Sequence, residues 1–155
     1  MRGCAIFGLP APTAYGILLI YEGRRAPDGV FAVRMWTEFC EPVAYSGMTV
    51  RKIMVYRKPE GETCVFLYPT PDAQICCADE WYPDVRTALA AWDGVPHTGW
   101  TEIGDPLPGC QEDAFEPVRV KGRADGDPQW GTFEILRDGA WQPYAEQTVD
   151  FRSES

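Results

Sequence analysis

"TVRKIMVYRKPEGETCVFLYP" runs from Thr49 to Pro69. Two apolar runs flank the link Pro59-Glu60-Gly61, a short glycine-containing turn of the kind that joins hairpin strands. At their centres stand Ile53, Met54 and Val55, and opposite them Val65, Phe66 and Leu67. A strand with one wet face would alternate apolar and polar residues. Strands that are apolar on both faces belong in the middle of a covered sheet. This stretch therefore predicts a central hairpin with material packed above and below it. Arg51, Lys52, Arg57 and Lys58 flank the apolar centre and read as strand-end charges that discourage edge pairing.

Working outward, "YGILLIYEG" (Tyr15 to Gly23) reads as a strand closed by glycine. "VFAVRMW" (Val30 to Trp36) alternates, with Phe31, Val33 and Met35 on one face and Arg34 on the other, which predicts a second strand. Pro42 and Gly47 break residues 37–48 into a loop. Downstream, "DEWYPDVRTALAAWDG" (Asp79 to Gly94) repeats Val85, Ala88, Leu89 and Trp92 at helical spacing. It predicts one helix at about 80–93, capped by Asp84 or Asp79 and stopped at Gly94. Near the end, Asp138-Gly139 inside "TFEILRDGAWQPY" is the strongest hairpin dipeptide in the chain. The tail, 150–155, is expected to fray. Together these elements predict an α+β fold in a single domain over residues 1–155. Its mostly antiparallel sheet has about six strands, and one helix packs on it.

Composition supports many short elements. Fifteen glycines and 14 prolines in 155 residues argue against a long-helix bundle. A chain of this length buries about two thirds of its unfolded surface, so it needs no staples. Six cysteines (Cys4, Cys40, Cys64, Cys76, Cys77 and Cys110) have no framework spacing. They read as free thiols in a reducing cytosol, which places the protein in the cytoplasm. Pro10 and Pro12 interrupt the apolar run behind Arg2, so the N-terminus reads as an ordinary segment rather than a cleaved signal. Whether residues 1–14 are processed stays open at this point. No apolar run reaches the length of a membrane span.

The charge is lopsided. Residues 1–58 carry eight basic and four acidic side chains, +4, and residues 59–155 carry six basic and nineteen acidic, −13, giving the net −9. Such a surface repels nucleic acid and anionic lipid and attracts basic proteins.

Catalytic patterns are faint. His97, the sole histidine, sits in the loop "GVPHTGW" with no nucleophile signature around any cysteine. No C-x-x-C or H-x-x-x-H spacing suggests a metal, and no cofactor is expected. Glu112-Asp113 and Asp125 with Asp127 are paired carboxylates, but acids this abundant pair by chance.

What remains is surface. Residues 100–131 hold Trp100, Asp105, Glu112, Asp113, Phe115, Glu116, Asp125, Asp127 and Trp130. Aromatic anchors ringed by charge on stiff loops are the makings of a protein-binding face. Trp100, Phe115 and Trp130 could equally be core, with only the acids outside. The stretch also holds two G-D-P-x-x-G segments, at 104–109 and 126–131, which read as similar turns.

In size, acidity, tryptophan-rich loops and lack of a catalytic motif, the chain resembles the small acidic immunity proteins of bacterial polymorphic toxin systems. That resemblance implies a non-catalytic cytosolic inhibitor whose acidic loop face neutralises a cognate toxin with a basic, nuclease-like surface. Two other readings stand beside it. One is a carbohydrate- or small-molecule-binding module using Trp-lined loops. The other is a small enzyme with a Cys or carboxylate nucleophile. The oligomeric state is not legible.

Overall fold

A computed structural model describes residues 33–145. Among these residues two antiparallel sheets carry eight strands, with one α-helix, which is the expected α+β class. The larger sheet has the order β4-β3-β2-β1-β5. Its strands are β1 (Val33–Tyr45), β2 (Met48–Arg57), β3 (Thr63–Tyr68), β4 (Ala78–Tyr82) and β5 (Thr101–Glu102). The smaller sheet, β6-β7-β8, consists of Val118–Val120, Phe133–Arg137 and Ala140–Tyr144. The helix α1 covers Val85–Ala91.

The hairpin that opened the sequence is the centre of the larger sheet. β2 pairs with β3 from Lys52↔Tyr68 to Arg57↔Thr63. Every residue of β3 is buried. On one face lie Met35, Phe39, Ile53, Val55, Val65 and Leu67, covered by Val85, Ala88, Leu89 and Trp92. Burying one such aliphatic side chain stabilises the fold by about 1.5–3 kcal/mol. Glu80 ties this layer together. Its carboxylate accepts from the Tyr45 hydroxyl (2.9 Å), the Tyr82 hydroxyl (2.8 Å) and Trp92 Nε1 (3.0 Å). Burial and the bond to Glu80 push the Tyr82 phenol up to about 12.

The opposite face is chemically different. It carries Met54, Tyr56, Cys64, Phe66 and Tyr68, and also two buried cations, Arg34 and Lys52. Lys52 was expected as a strand-end charge; it is instead 5% exposed in mid-sheet. Loops cover this face, with Ala73, Cys76, Ile103 and Phe115 packed against it. The small sheet joins through a third cluster, in which Val118 and Ile135 meet Ala114 and Ile75.

Three expectations need correction. Residues 37–48 are not a loop. β1 continues to Tyr45 and turns through Ser46-Gly47 into β2. The register steps from Glu38↔Lys52 to Val43↔Val50, so β1 takes five steps while β2 takes two. That bulge absorbs Pro42, which cannot donate to a ladder. The helix is also shorter than 80–93, because Ala78–Tyr82 is strand β4. Pro83 holds the residue before it extended, and Asp84 is the cap, its Oδ1 accepting from the Thr87 amide at 2.7 Å. Finally, not every cysteine is a thiol. Cys64, Cys76, Cys77 and Cys110 are, but Cys40 is disulfide-bonded. The strand at Tyr15–Gly23, residues 1–14 and the tail at 150–155 lie outside the described residues.

The Asp138-Gly139 hairpin is present as read. Both residues have positive φ, 53° and 75°, as the two-residue turn between β7 and β8 requires.

Candidate protein-binding surface

Two loops from the predicted binding stretch behave in opposite ways. The first, residues 103–117, lies across the cation-bearing face of the larger sheet. Arg34 reaches up from β1 and donates to three of its carbonyls: Gly104 O (2.7 Å), Glu112 O (2.7 Å) and Ala114 O (2.6 Å). Tyr68 donates its hydroxyl to Asp113 O. Lys52 donates to Pro71 O (2.6 Å) and Ala73 O (3.0 Å) in the neighbouring loop. Its ammonium sits 3.8 Å from the Phe115 ring centre and 5.0 Å from that of Tyr68. Carbonyl dipoles and ring faces replace the water that buried cations lose. Burial lowers the Arg34 pKa even so.

This loop holds most of the proposed site residues, and it holds them as cover. Asp113 is buried at 8% exposure, and its Oδ2 accepts the Cys76 amide at 2.8 Å. An exposed acid was expected there. The position is a brace, because the carboxylate satisfies an amide that the loop shields from water. Phe115 packs edge-on against Trp36 and Tyr68. Trp100 packs on the first core beside His97, with ring centres 5.5 Å apart. Glu112 is paired with Lys58 at 3.0 Å. Glu116 is paired with Arg137 at 2.7 Å, which holds its carboxyl below the usual range, and it also accepts from Gln74. Of the acids on this loop, only Asp105 is exposed.

The second loop, residues 121–132, joins β6 to β7. None of its residues is buried. It is nevertheless closely tied to itself by six backbone bonds: Lys121 N to Thr132 O, Asp125 N to Gly122 O, Gly126 N to Arg123 O, Asp127 N to Gly122 O, Gln129 N to Lys121 O and Thr132 N to Gln129 O. The crossing point is Gly122, with φ of 78°. A Cβ there would lie 2.1 Å from the Asp127 carbonyl oxygen, so no other residue fits without a shift. From this frame project Asp125, Asp127 and Trp130, the last 73% exposed. Of the nine proposed residues, these three are brought together on one exposed loop.

No protein-family model matches the chain, and no curated protein and no solved structure matches it.

The residues missed in the sequence are Trp81 and Leu107, 55% and 46% exposed, with Asp79 beside the former. The helix expected at about 80–93 takes in Trp81. The strand alternation of Asp79 and Trp81 against Glu80 and Tyr82, ended by Pro83, was the signal that could have placed it. His97 is structural: its Nδ1 accepts the Gly99 amide at 3.1 Å and lies 2.9 Å from Thr37 Oγ1. Burial lowers its pKa. Among the described residues no group of three His, Cys, Asp or Glu could hold a metal ion, and no helix is long and apolar enough to cross a membrane.

Proposed function

We propose that the chain is a non-catalytic protein-binding inhibitor of the immunity-protein kind, which neutralises a cognate toxin with a basic, nuclease-like surface. The observation that carries this reading is the loop at 121–132. A segment that buries none of its residues contributes little to the core, yet this one is tied by six internal bonds and presents a tryptophan that is 73% exposed. Exposed aromatics of this kind are typical binding anchors, and a loop fixed beforehand loses little entropy on docking. Asp125 and Asp127 share this loop with the exposed Lys121 and Arg123, so the pull on a basic partner comes from the chain's net charge of −9, which speeds its approach.

The reading is tested by co-expressing the chain with the product of the gene adjacent to its own. It predicts that host growth is rescued and that the two polypeptides co-purify. Trp130→Ala combined with Asp125→Lys and Asp127→Lys should abolish both while leaving the melting temperature unchanged. Rescue by that variant equal to wild type would remove the loop from the interface. Binding that ignores salt and competes with free sugars would favour the carbohydrate module instead.

A cytoplasmic location belongs to the same proposal. The thiols of Cys64, Cys76, Cys77 and Cys110 agree with a reducing compartment, whereas the Cys40 disulfide suits an oxidising one. Alkylation of non-reduced, unfolded protein followed by peptide mapping decides between them. Cys40 modified in protein from its native compartment supports the cytoplasm, and Cys40 protected excludes it.

A further inference from the structure

Among the described residues the larger sheet ends at β4. Among the described residues this strand has a neighbour on one side only, β3, with register Thr63↔Tyr82 to Leu67↔Ala78. An open edge is a template for another strand. Here the edge carries an unusual side chain for a surface, Trp81. Its ring does not hang loosely. Trp81 Nε1 donates to Asp79 Oδ2 at 2.8 Å, and Lys58 Nζ lies 4.7 Å from the ring centre while paired with Glu112. The ring is thus oriented by one acid and already accepts one ammonium. More than half of it stays open.

The charge around the edge selects the occupant. β4 itself, Ala-Asp-Glu-Trp-Tyr, holds two acids and no base. Glu60 and Glu62 stand exposed at the turn that leads into β3, and Asp84 follows β4; with Asp79 and Glu80 these acids outnumber the nearby bases Arg57, Lys58 and Arg86. A second copy pairing edge to edge would bring the same acids against these, and like charges facing across strands repel. An extended segment with alternating Lys or Arg meets the opposite situation. We infer that the open edge of β4 is a docking site for an extended basic segment of another protein, which adds as a strand and sets a cationic side chain on the open part of the Trp81 ring. The mode is strand addition: main-chain bonds supply affinity and side chains supply selection. This inference does not rest on the loop at 121–132, and either can fail alone.

The test uses an acetylated, amidated probe peptide, Lys-Val-Arg-Val-Lys-Val-Arg, titrated into the whole chain and followed by amide NMR shifts. The expected result is a saturable response centred on Ala78–Tyr82, with Trp81→Ala weakening binding about tenfold, as for an anchor residue. Trp130→Ala should leave it unchanged. Two versions of the peptide, N-methylated at odd or at even positions, separate strand addition from loose charge attraction. One of the two must lose binding, since a strand offers alternate amides to its neighbour. Equal binding by both, equal binding by a Glu-for-Lys/Arg peptide, or no response at β4 overturns the proposal. So does a concentration-dependent dimer that Trp81→Ala abolishes, because the edge would then belong to a second copy.

Discussion

Gly104-Asp105-Pro106-Leu107-Pro108-Gly109 and Gly126-Asp127-Pro128-Gln129-Trp130-Gly131 follow the same pattern, and both end on a glycine of positive φ. Their surroundings could hardly differ more. The first introduces a loop clamped from below by Arg34 and Tyr68 and packed through Phe115. The second belongs to a loop that clamps itself and buries nothing. Equal local chemistry gives equal turn propensity. What happens to the acids beyond the turn is decided by what lies underneath. Over a sheet face with buried cations, the backbone carbonyls are recruited and Asp113 turns inward. Beyond the end of the small sheet nothing recruits them, and Asp125 and Asp127 stay in water.

If that contrast is right, the largest effect should come from Arg34→Met. It removes the donor for three loop carbonyls and should cost about 3–5 kcal/mol, because orphaned buried acceptors are expensive. Urea denaturation reads this directly. A loss below about 1 kcal/mol would mean that the loop at 103–117 is held by something else.

Gly122→Ala should break the other loop. The added Cβ meets the Asp127 carbonyl and the residue sits at positive φ, so a cost of roughly 1–3 kcal/mol is expected. Because the loop has no core beneath it, the two sheets should survive while rescue of the co-expressed toxin is lost. Full rescue would show that the frame around Trp130 is dispensable.

A smaller effect concerns the segment leading into the first loop. His97 accepts the Gly99 amide and so must be neutral at Nδ1. Burial depresses its folded pKa below the ordinary value near 6.5, against the opposing pull of Asp93. A depressed histidine binds fewer protons folded than unfolded. Its contribution is therefore complete above the unfolded pKa and is lost as pH falls from about 6.5 through the folded value. Melting temperature should drop over that window in wild type and stay flatter in His97→Gln. Identical profiles would mean that His97 takes up its proton equally readily in the folded and the unfolded chain.

These contrasts also mark how far the sequence could be read. The central hairpin was plain because its apolar runs have only one comfortable home. The Asp138-Gly139 turn was plain because few dipeptides suit it. β4 was obscured because Trp81 and Tyr82 extend the helical spacing of Val85, Leu89 and Trp92, although Pro83 stood in the way. The course of β1 beyond Trp36 was hidden by Pro42, which a bulge absorbs. The fate of the acids was the least legible feature. Arg34 has no carboxylate partner to notice; its acceptors are carbonyls 70 to 80 residues away. Backbone carbonyls are the same in every sequence, so the pattern of side chains could not announce that Asp113 would be drawn inside while Asp125 remained out.

The most direct measurement is the unfolding free energy of two single charge reversals, Asp113→Lys and Asp125→Lys, under one set of conditions. Asp113→Lys should lose about 3 kcal/mol or more, because it places an unpaired ammonium where a carboxylate met the Cys76 amide. Asp125→Lys should stay within about 0.5 kcal/mol of wild type, as an exposed side chain outside any network does. Equal losses, or a loss confined to Asp125→Lys, would contradict the division between a loop that covers the sheet and a loop that faces a partner.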